Sequence, residues 1–175
     1  CIGKNIRFGL AAIKNVGTTA IESIITSREK DGPFKNFFEF VQRVDLRVCN
    51  RKVLESLIKC GAFDEWKLHR SQLMAMLDTA LEMGSNLQKD RNRGQMSFFE
   101  NTVGEGTFHD EQATIPAIPE WPENQKLAFE RELIGFYVSS HPLSKYTKVL
   151  KNYATATSDT LPEFNHQAEA TMGDR

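Results

Sequence analysis

Two short stretches hold the residue types that could do chemistry. The first is Lys14-Asn15-Val16-Gly17-Thr18-Thr19, set between the apolar run FGLAAIK and the helix-like segment TTAIESIITSREK. At a helix start the first backbone N–H groups have no intrahelical partner, and the helix dipole adds partial positive charge there. Amides of Gly17, Thr18 and Thr19 aimed outward, with the Lys14 ammonium beside them, would form an anion site that fits a DNA phosphate. Gly17 is expected to let the chain turn tightly, and Asn15 tolerates positive φ better than most residues with a side chain. Val16 is expected to pack inward with Leu10 and Ile13. An ordinary helical hairpin without a ligand shares this spacing.

The second stretch is Gln95-Met96-Ser97-Phe98-Phe99, inside the polar, glycine-flanked run RNRGQMSFFENTVGEG. Such a run has no core in which to bury Met96, Phe98 and Phe99. Either they fold back onto the helices, or they are anchors for a partner and become ordered on binding it.

A third stretch, KVLESLIKCGAFDEW, repeats the hairpin layout around Gly61 but puts Asp64 and Glu65 where a phosphate would sit. Negative charge there opposes an anion, so this unit reads mainly as a structural partner of the first. Arg43, Arg47, Arg51, Lys52, Lys59, Lys67 and Arg70 are candidates for a face that contacts a nucleic-acid backbone.

Enzyme signatures are missing. There is no Gly-rich phosphate loop with its lysine, no Gly-x-Ser-x-Gly and no His-Glu-x-x-His. His69, His109, His141 and His166 stand singly, and the acids fall mostly on helix faces opposite the apolar stripe. Phosphoryl transfer needs carboxylates gathered around metal ions, so we expect no catalytic residue, metal site or cofactor in this stretch. Cys1, Cys49 and Cys60 have neither the count nor the spacing of a disulfide framework or zinc site, which fits a reducing cytoplasm. No apolar run is long enough to span a membrane, and no signal-peptide pattern opens the chain. Residues 1–93 carry 16 Lys/Arg against 11 Asp/Glu, and residues 94–175 carry 6 against 12. A basic half joined to an acidic half suggests nucleic acid on one side and a protein on the other, although solvated surface charge would look the same.

The elements that must position these residues are helices with short breaks. Apolar spacing predicts a short helix over 8–14 and a second over TTAIESIITSREK, with Ile21, Ile24 and Ile25 on one face. Thr18 or Thr19 is the expected cap, with Glu22 completing a capping box from Thr19. Asp31-Gly32-Pro33 ends that helix. Phe37, Phe40, Val41 and Val44 mark a helix over 35–44, and Val53, Leu54, Leu57 and Ile58 mark one over 50–59. A longer helix follows over about 65–83, then a loop over 86–120 closed by IPAIPEWP. Leu127, Phe129, Leu133, Ile134 and Tyr137 predict a helix over 122–137. His141-Pro142 ends it, and a shorter helix follows over 143–152 before an extended tail. The fold class is mainly α: a tandem helix-hairpin-helix bundle followed by a flexible loop and further helices.

In this order and spacing, IRFGLAAIKNVGTTAIESII, GPFKNFFEFVQRVD, NRKVLESLIKCGAFD, GQMSFFE and ENQKLAFERELIGFYVSSHPL closely resemble the family of bacterial replicative polymerases, the DNA polymerase III alpha subunits. The resemblance covers nearly the whole chain and implies a piece of a longer polypeptide, as does a first residue, Cys1, in mid-pattern. It corresponds to the region after the fingers. The implied organisation is a tandem helix-hairpin-helix region contacting double-stranded DNA (1–85), a loop with the clamp-binding peptide (86–120), a helical segment packed on the first region (121–155) and a connector toward an OB-fold (156–175). The family's catalytic aspartates lie upstream, so none is carried over, and the magnesium expected for the parent nucleotidyltransferase belongs there too. The sliding-clamp motif does carry over, onto Gln95, Met96, Ser97, Phe98 and Phe99, with Phe98 in place of the usual aliphatic residue. Implied partners are the sliding clamp, duplex DNA and, through the parent chain, other replisome subunits, with no membrane. A repair or nuclease subunit using the same hairpins, and a purely structural helical brace, are the alternatives.

Overall fold

The structure, a computed structural model, describes residues 8–92 and 115–153. Its core begins where the apolar period is strongest. Helix α2 (Phe37–Arg43) and helix α3 (Arg51–Lys59) are each started by an asparagine: Asn36 accepts from the Glu39 amide and Asn50 from the Val53 amide. These caps satisfy amides that the helix leaves unpaired. Phe37, Phe40, Val41 and Val44 are buried, as are Val53, Leu54, Leu57 and Ile58. Each such side chain contributes about 1.5–3 kcal/mol by leaving water. Phe63 and Trp66 stack 5.0 Å apart beside Phe37 and Phe40 and close one end of this core.

Helix α1 spans Thr18–Asp31 and stops at Gly32, whose φ of 78° suits glycine. Its buried stripe is Ala20, Ile24 and Ser27, whereas Ile21 is half-buried and Ile25 exposed. The expected helix over 8–14 is only a 3₁₀ turn, Leu10–Ala12, because the chain is already extended at Ile13.

Helix α4 spans Arg70–Asn92 and packs on α2 and α3. It begins later than residue 65 because Asp64–Trp66 form a 3₁₀ turn and Lys67 follows with φ of 57°. It also runs past residue 83, so residues 86–92 of the expected loop are helical. The contact there is made by Gly84, where a Cβ would meet Val41 at 3.0 Å, and by Gln88, whose amide donates to the Val44 carbonyl at 2.7 Å. Neither residue contributes to an apolar period.

Residues 116–121 are tied to α4: Gln72 donates to the Pro116 carbonyl at 3.0 Å and Ser71 Oγ to that of Pro119 at 2.8 Å. Helix α5 (Glu123–Leu133) then packs on α3 and ends before Gly135, which has φ of 93°. The chain divides into two compact units, 1–139 and 140–175. The second contains a 3₁₀ turn, Ser144–Tyr146, and helix α6, Thr147–Tyr153. No strand occurs among the described residues, so the fold is mainly α. Gln95, Met96, Ser97, Phe98 and Phe99 lie outside the described residues.

Candidate functional site

The first hairpin turns at Asn15, whose φ is 70°. Three bonds fix this turn. The Lys14 amide donates to the Leu133 carbonyl at 2.9 Å, and the Val16 amide to that of Ile13 at 3.1 Å. Asn15 Nδ2 donates to Ser56 Oγ of α3 at 3.1 Å. Val16 is buried, while Lys14, Asn15, Gly17, Thr18 and Thr19 are exposed.

Two expectations about this turn are corrected. Gly17 is in extended conformation, with φ of −80° and ψ of 160°, and a Cβ there would touch only Thr19 Oγ1, at 3.9 Å. The tight turn needs Asn15, not Gly17. Gly17 is also the N-cap of α1, and no side chain of Thr18, Thr19 or Glu22 caps it. As a result the amides of Gly17, Thr18 and Thr19 have no acceptor among the described residues. The first turn of α1 contains no acidic residue.

In the second hairpin the Gly61, Ala62 and Asp64 amides are bonded. Gly61 donates to Ile58 at 3.1 Å, Ala62 to Leu57 at 3.0 Å and Asp64 to Gly61 at 3.2 Å. Against this turn lies the guanidinium of Arg70, a residue only 3% exposed. It donates to Asp64 at 2.6 and 2.9 Å, to the Lys59 carbonyl at 3.1 Å and to Glu130 at 3.0 Å. Asp64 is therefore the partner of an internal cation. Gly61, at φ of 84°, is required twice over, because a Cβ would also run into the Arg70 guanidinium and approach Asp64 to 2.7 Å.

Glu130 is fully buried, and its other oxygen accepts from the Val138 and Ser139 amides at 2.8 and 3.0 Å. Burial alone pushes its carboxyl pKa up, but these amides and Arg70 outweigh burial and hold it below its ordinary value. Burial likewise disfavours the Arg70 charge, and Asp64 and Glu130 more than restore it. The pair was missed in the sequence. The usable signal was Glu130 itself, an acid three residues after Leu127 on the apolar face of α5, which demands a buried cation.

Helix α4 shows what an unpaired helix start can hold. The Arg70 and Ser71 amides donate to the Glu120 carboxylate at 3.1 and 3.3 Å. Burial raises the Glu120 pKa, but these amides and that of Trp121 bring it below the ordinary value.

Of the seven cations considered for a backbone-contacting face, Arg43 and Arg70 are removed from it. Arg43 is committed to the Ser27 and Gly32 carbonyls, both at 2.7 Å, and to Glu39 at 2.9 Å. Arg47 pairs with Asp45, Arg51 with Glu55 and Asp78, and Lys59 with Glu55. Lys52 and Lys67 are exposed and have no ionic partner among the described residues. No group of His, Cys, Asp and Glu that could hold a metal occurs among the described residues. The buried thiols of Cys49 and Cys60 are pushed up to about 11 by burial, which leaves them inert.

A hairpin fixed in a positive-φ turn and leading into an uncapped helix defines a class, and residues 2–73 match the family model described as a helix-hairpin-helix motif. The chain is 40% identical over 169 residues to the DNA polymerase III subunit alpha of Pasteurella multocida (strain Pm70), covering 96% of this chain and 14% of that protein. It is 38% identical, with the same coverage, to that of Haemophilus influenzae (strain ATCC 51907 / DSM 11121 / KW20 / Rd). Against that of Mycobacterium tuberculosis (strain ATCC 25618 / H37Rv) it is 39% identical over 152 residues, 85% of this chain and 13% of that protein. The chain is thus similar along nearly its whole length to a segment of DNA polymerase III alpha subunits, and spans about 14% of the length of these relatives.

Proposed function

We propose that this segment serves a longer replicative polymerase as a contact for duplex DNA and a docking point for its sliding clamp, supporting processive synthesis. The observation that carries the DNA half is the open start of α1, where the Gly17, Thr18 and Thr19 amides face outward beside Lys14. Amide contacts to phosphate read no sequence. Affinity belongs in the nonspecific range of about 10⁻⁴ to 10⁻⁶ M at physiological salt. The closed second hairpin favours a bracing role for that half of the tandem.

The clamp half rests on the resemblance of Gln95-Met96-Ser97-Phe98-Phe99 to the family's peptide. Phe98 and Phe99 would fill an apolar pocket on the ring while the Gln95 amide bonds at its edge. So small a patch gives affinity of order micromolar, and tethering to the ring raises the local concentration of the polymerase on DNA. A cytoplasmic location and replisome partners follow from the same reading. The magnesium that polymerase chemistry uses finds no fitting donor set among the described residues.

The DNA half is tested by titrating the 175-residue chain with unrelated duplexes over a salt series. Similar affinities that fall linearly in log–log form with salt are expected; binding indifferent to salt, or none at low salt, would sink the reading. For the clamp half, the double change Phe98→Ala and Phe99→Ala should abolish clamp binding without moving the melting temperature. Early melting would return both side chains to a core, and parental clamp affinity would place the motif elsewhere.

A further inference from the structure

We propose that Lys52 is a second positioned cation of the DNA-contacting surface, holding another phosphate of the duplex that rests on the first hairpin. This rests on the reading of that hairpin given above. The placement comes from a short relay. Asn15 Nδ2 donates to Ser56 Oγ at 3.1 Å, and Ser56 Oγ donates to the Lys52 carbonyl at 2.9 Å. Ser56 and Lys52 are four apart in α3 and share one helix face, so the face that holds the Asn15 turn also presents Lys52. Each Cα–Cβ bond in a helix tilts toward the N-terminus, which carries the Lys52 stem beyond Ser56 and out to solvent.

Electrostatics gives the second argument. Lys52 stands in the first turn of α3, where the helix dipole is positive and no acidic residue is present. A cation there is unfavourable. Its neighbour Arg51 is compensated by Glu55 and Asp78, and Lys59 by Glu55. Lys52 has no such partner among the described residues, and the first turn of α1 adds no acid to the same surface. An uncompensated cation against a like dipole, on the helix face that holds the Asn15 turn, is relieved by an external anion. Phosphates along a duplex backbone supply a row of them.

The test compares the 175-residue chain with Lys52→Gln, Lys14→Gln and Lys67→Gln, reading duplex affinity across a salt series and thermal melting. Lys52→Gln should bind more weakly, lower the log–log salt slope by about 0.9, the value of one phosphate contact, and melt no earlier than the parent. Lys14→Gln should lower the slope similarly and Lys67→Gln should leave it alone. If Lys14→Gln lowers the slope and Lys52→Gln does not, Lys52 is no contact but the hairpin reading stands. If neither lowers it, both fail. Equal losses for Lys67→Gln would show a diffuse charge effect and overturn the assignment. So would a Lys52→Gln chain whose weaker binding is matched by early melting.

Discussion

In the first hairpin the chain reverses at Asn15, with φ of 70°, and beyond the bonded Val16 amide those of Gly17, Thr18 and Thr19 have no acceptor among the described residues; in the second it reverses at Gly61, with φ of 84°, and the Gly61, Ala62 and Asp64 amides are bonded within the turn. The difference follows from what fills each concavity. Gly61 lacks a Cβ so that the Arg70 guanidinium can lie against it, tied on to Asp64 and Glu130. Among the described residues the first hairpin has no internal cation; the Asn15 side chain holds its turn from the side by bonding Ser56. One layout thus supports an open helix start and a closed structural joint, and the occupant of the concavity decides which.

The largest effect is expected from breaking the closed side. Glu130→Gln removes the buried one of Arg70's two carboxylate partners and leaves only the half-exposed Asp64. Removing one member of a buried pair costs about 3–5 kcal/mol, and the remaining Asp64 puts the loss at the lower end. Chemical denaturation of the parent and variant measures this. Duplex affinity of the folded fraction should be unchanged, since Glu130 does not face the first hairpin's amides. The pH dependence has a definite sign. The folded Glu130 pKa lies below its ordinary value of 4.5, so its contribution is fully present above that pH and is lost as pH falls through the lowered folded value. The parent should lose this contribution in acid, and Glu130→Gln should show a flatter acid limb.

A smaller loss should follow Gly61→Ala. The left-handed backbone alone costs a residue with a Cβ about 1–2 kcal/mol, and displacing Arg70 adds to it. Asn15→Gly should cost less, about 1 kcal/mol for one lost hydrogen bond, because glycine adopts the same φ freely. Equal losses at the two turns would mean that Arg70 does not distinguish them.

The sequence was most informative where packing is periodic. Phe37, Phe40, Val41 and Val44, and then Val53, Leu54, Leu57 and Ile58, were legible because their spacing matches a helix turn and all face one core. The positive φ of Asn15 was legible from its residue type. The function of Gly17 was not, because glycine serves as turn residue and as N-cap alike, and only the observed φ of −80° separates them. The extension of α4 beyond residue 83 rests on Gly84 and Gln88, which carry no apolar signal. The Arg70–Glu130 pair joins residues 60 apart in the chain, and no local pattern encodes such a partner.

The most direct measurement of the contrast between the hairpins is duplex binding and melting of Gly17→Asp. Space exists for the side chain, since a Cβ at Gly17 meets nothing closer than 3.9 Å. As N-cap, Asp would accept from the free amides of α1 and gain a few tenths of a kcal/mol over Gly, while its charge occupies the place proposed for a phosphate. The protein should melt at the same temperature or slightly higher, and its duplex affinity at low salt should fall by about tenfold or more, the equivalent of about 1.4 kcal/mol. A Gly17→Asp chain that melts like the parent and binds duplex with parental affinity would contradict the claim that the open start of α1 holds DNA.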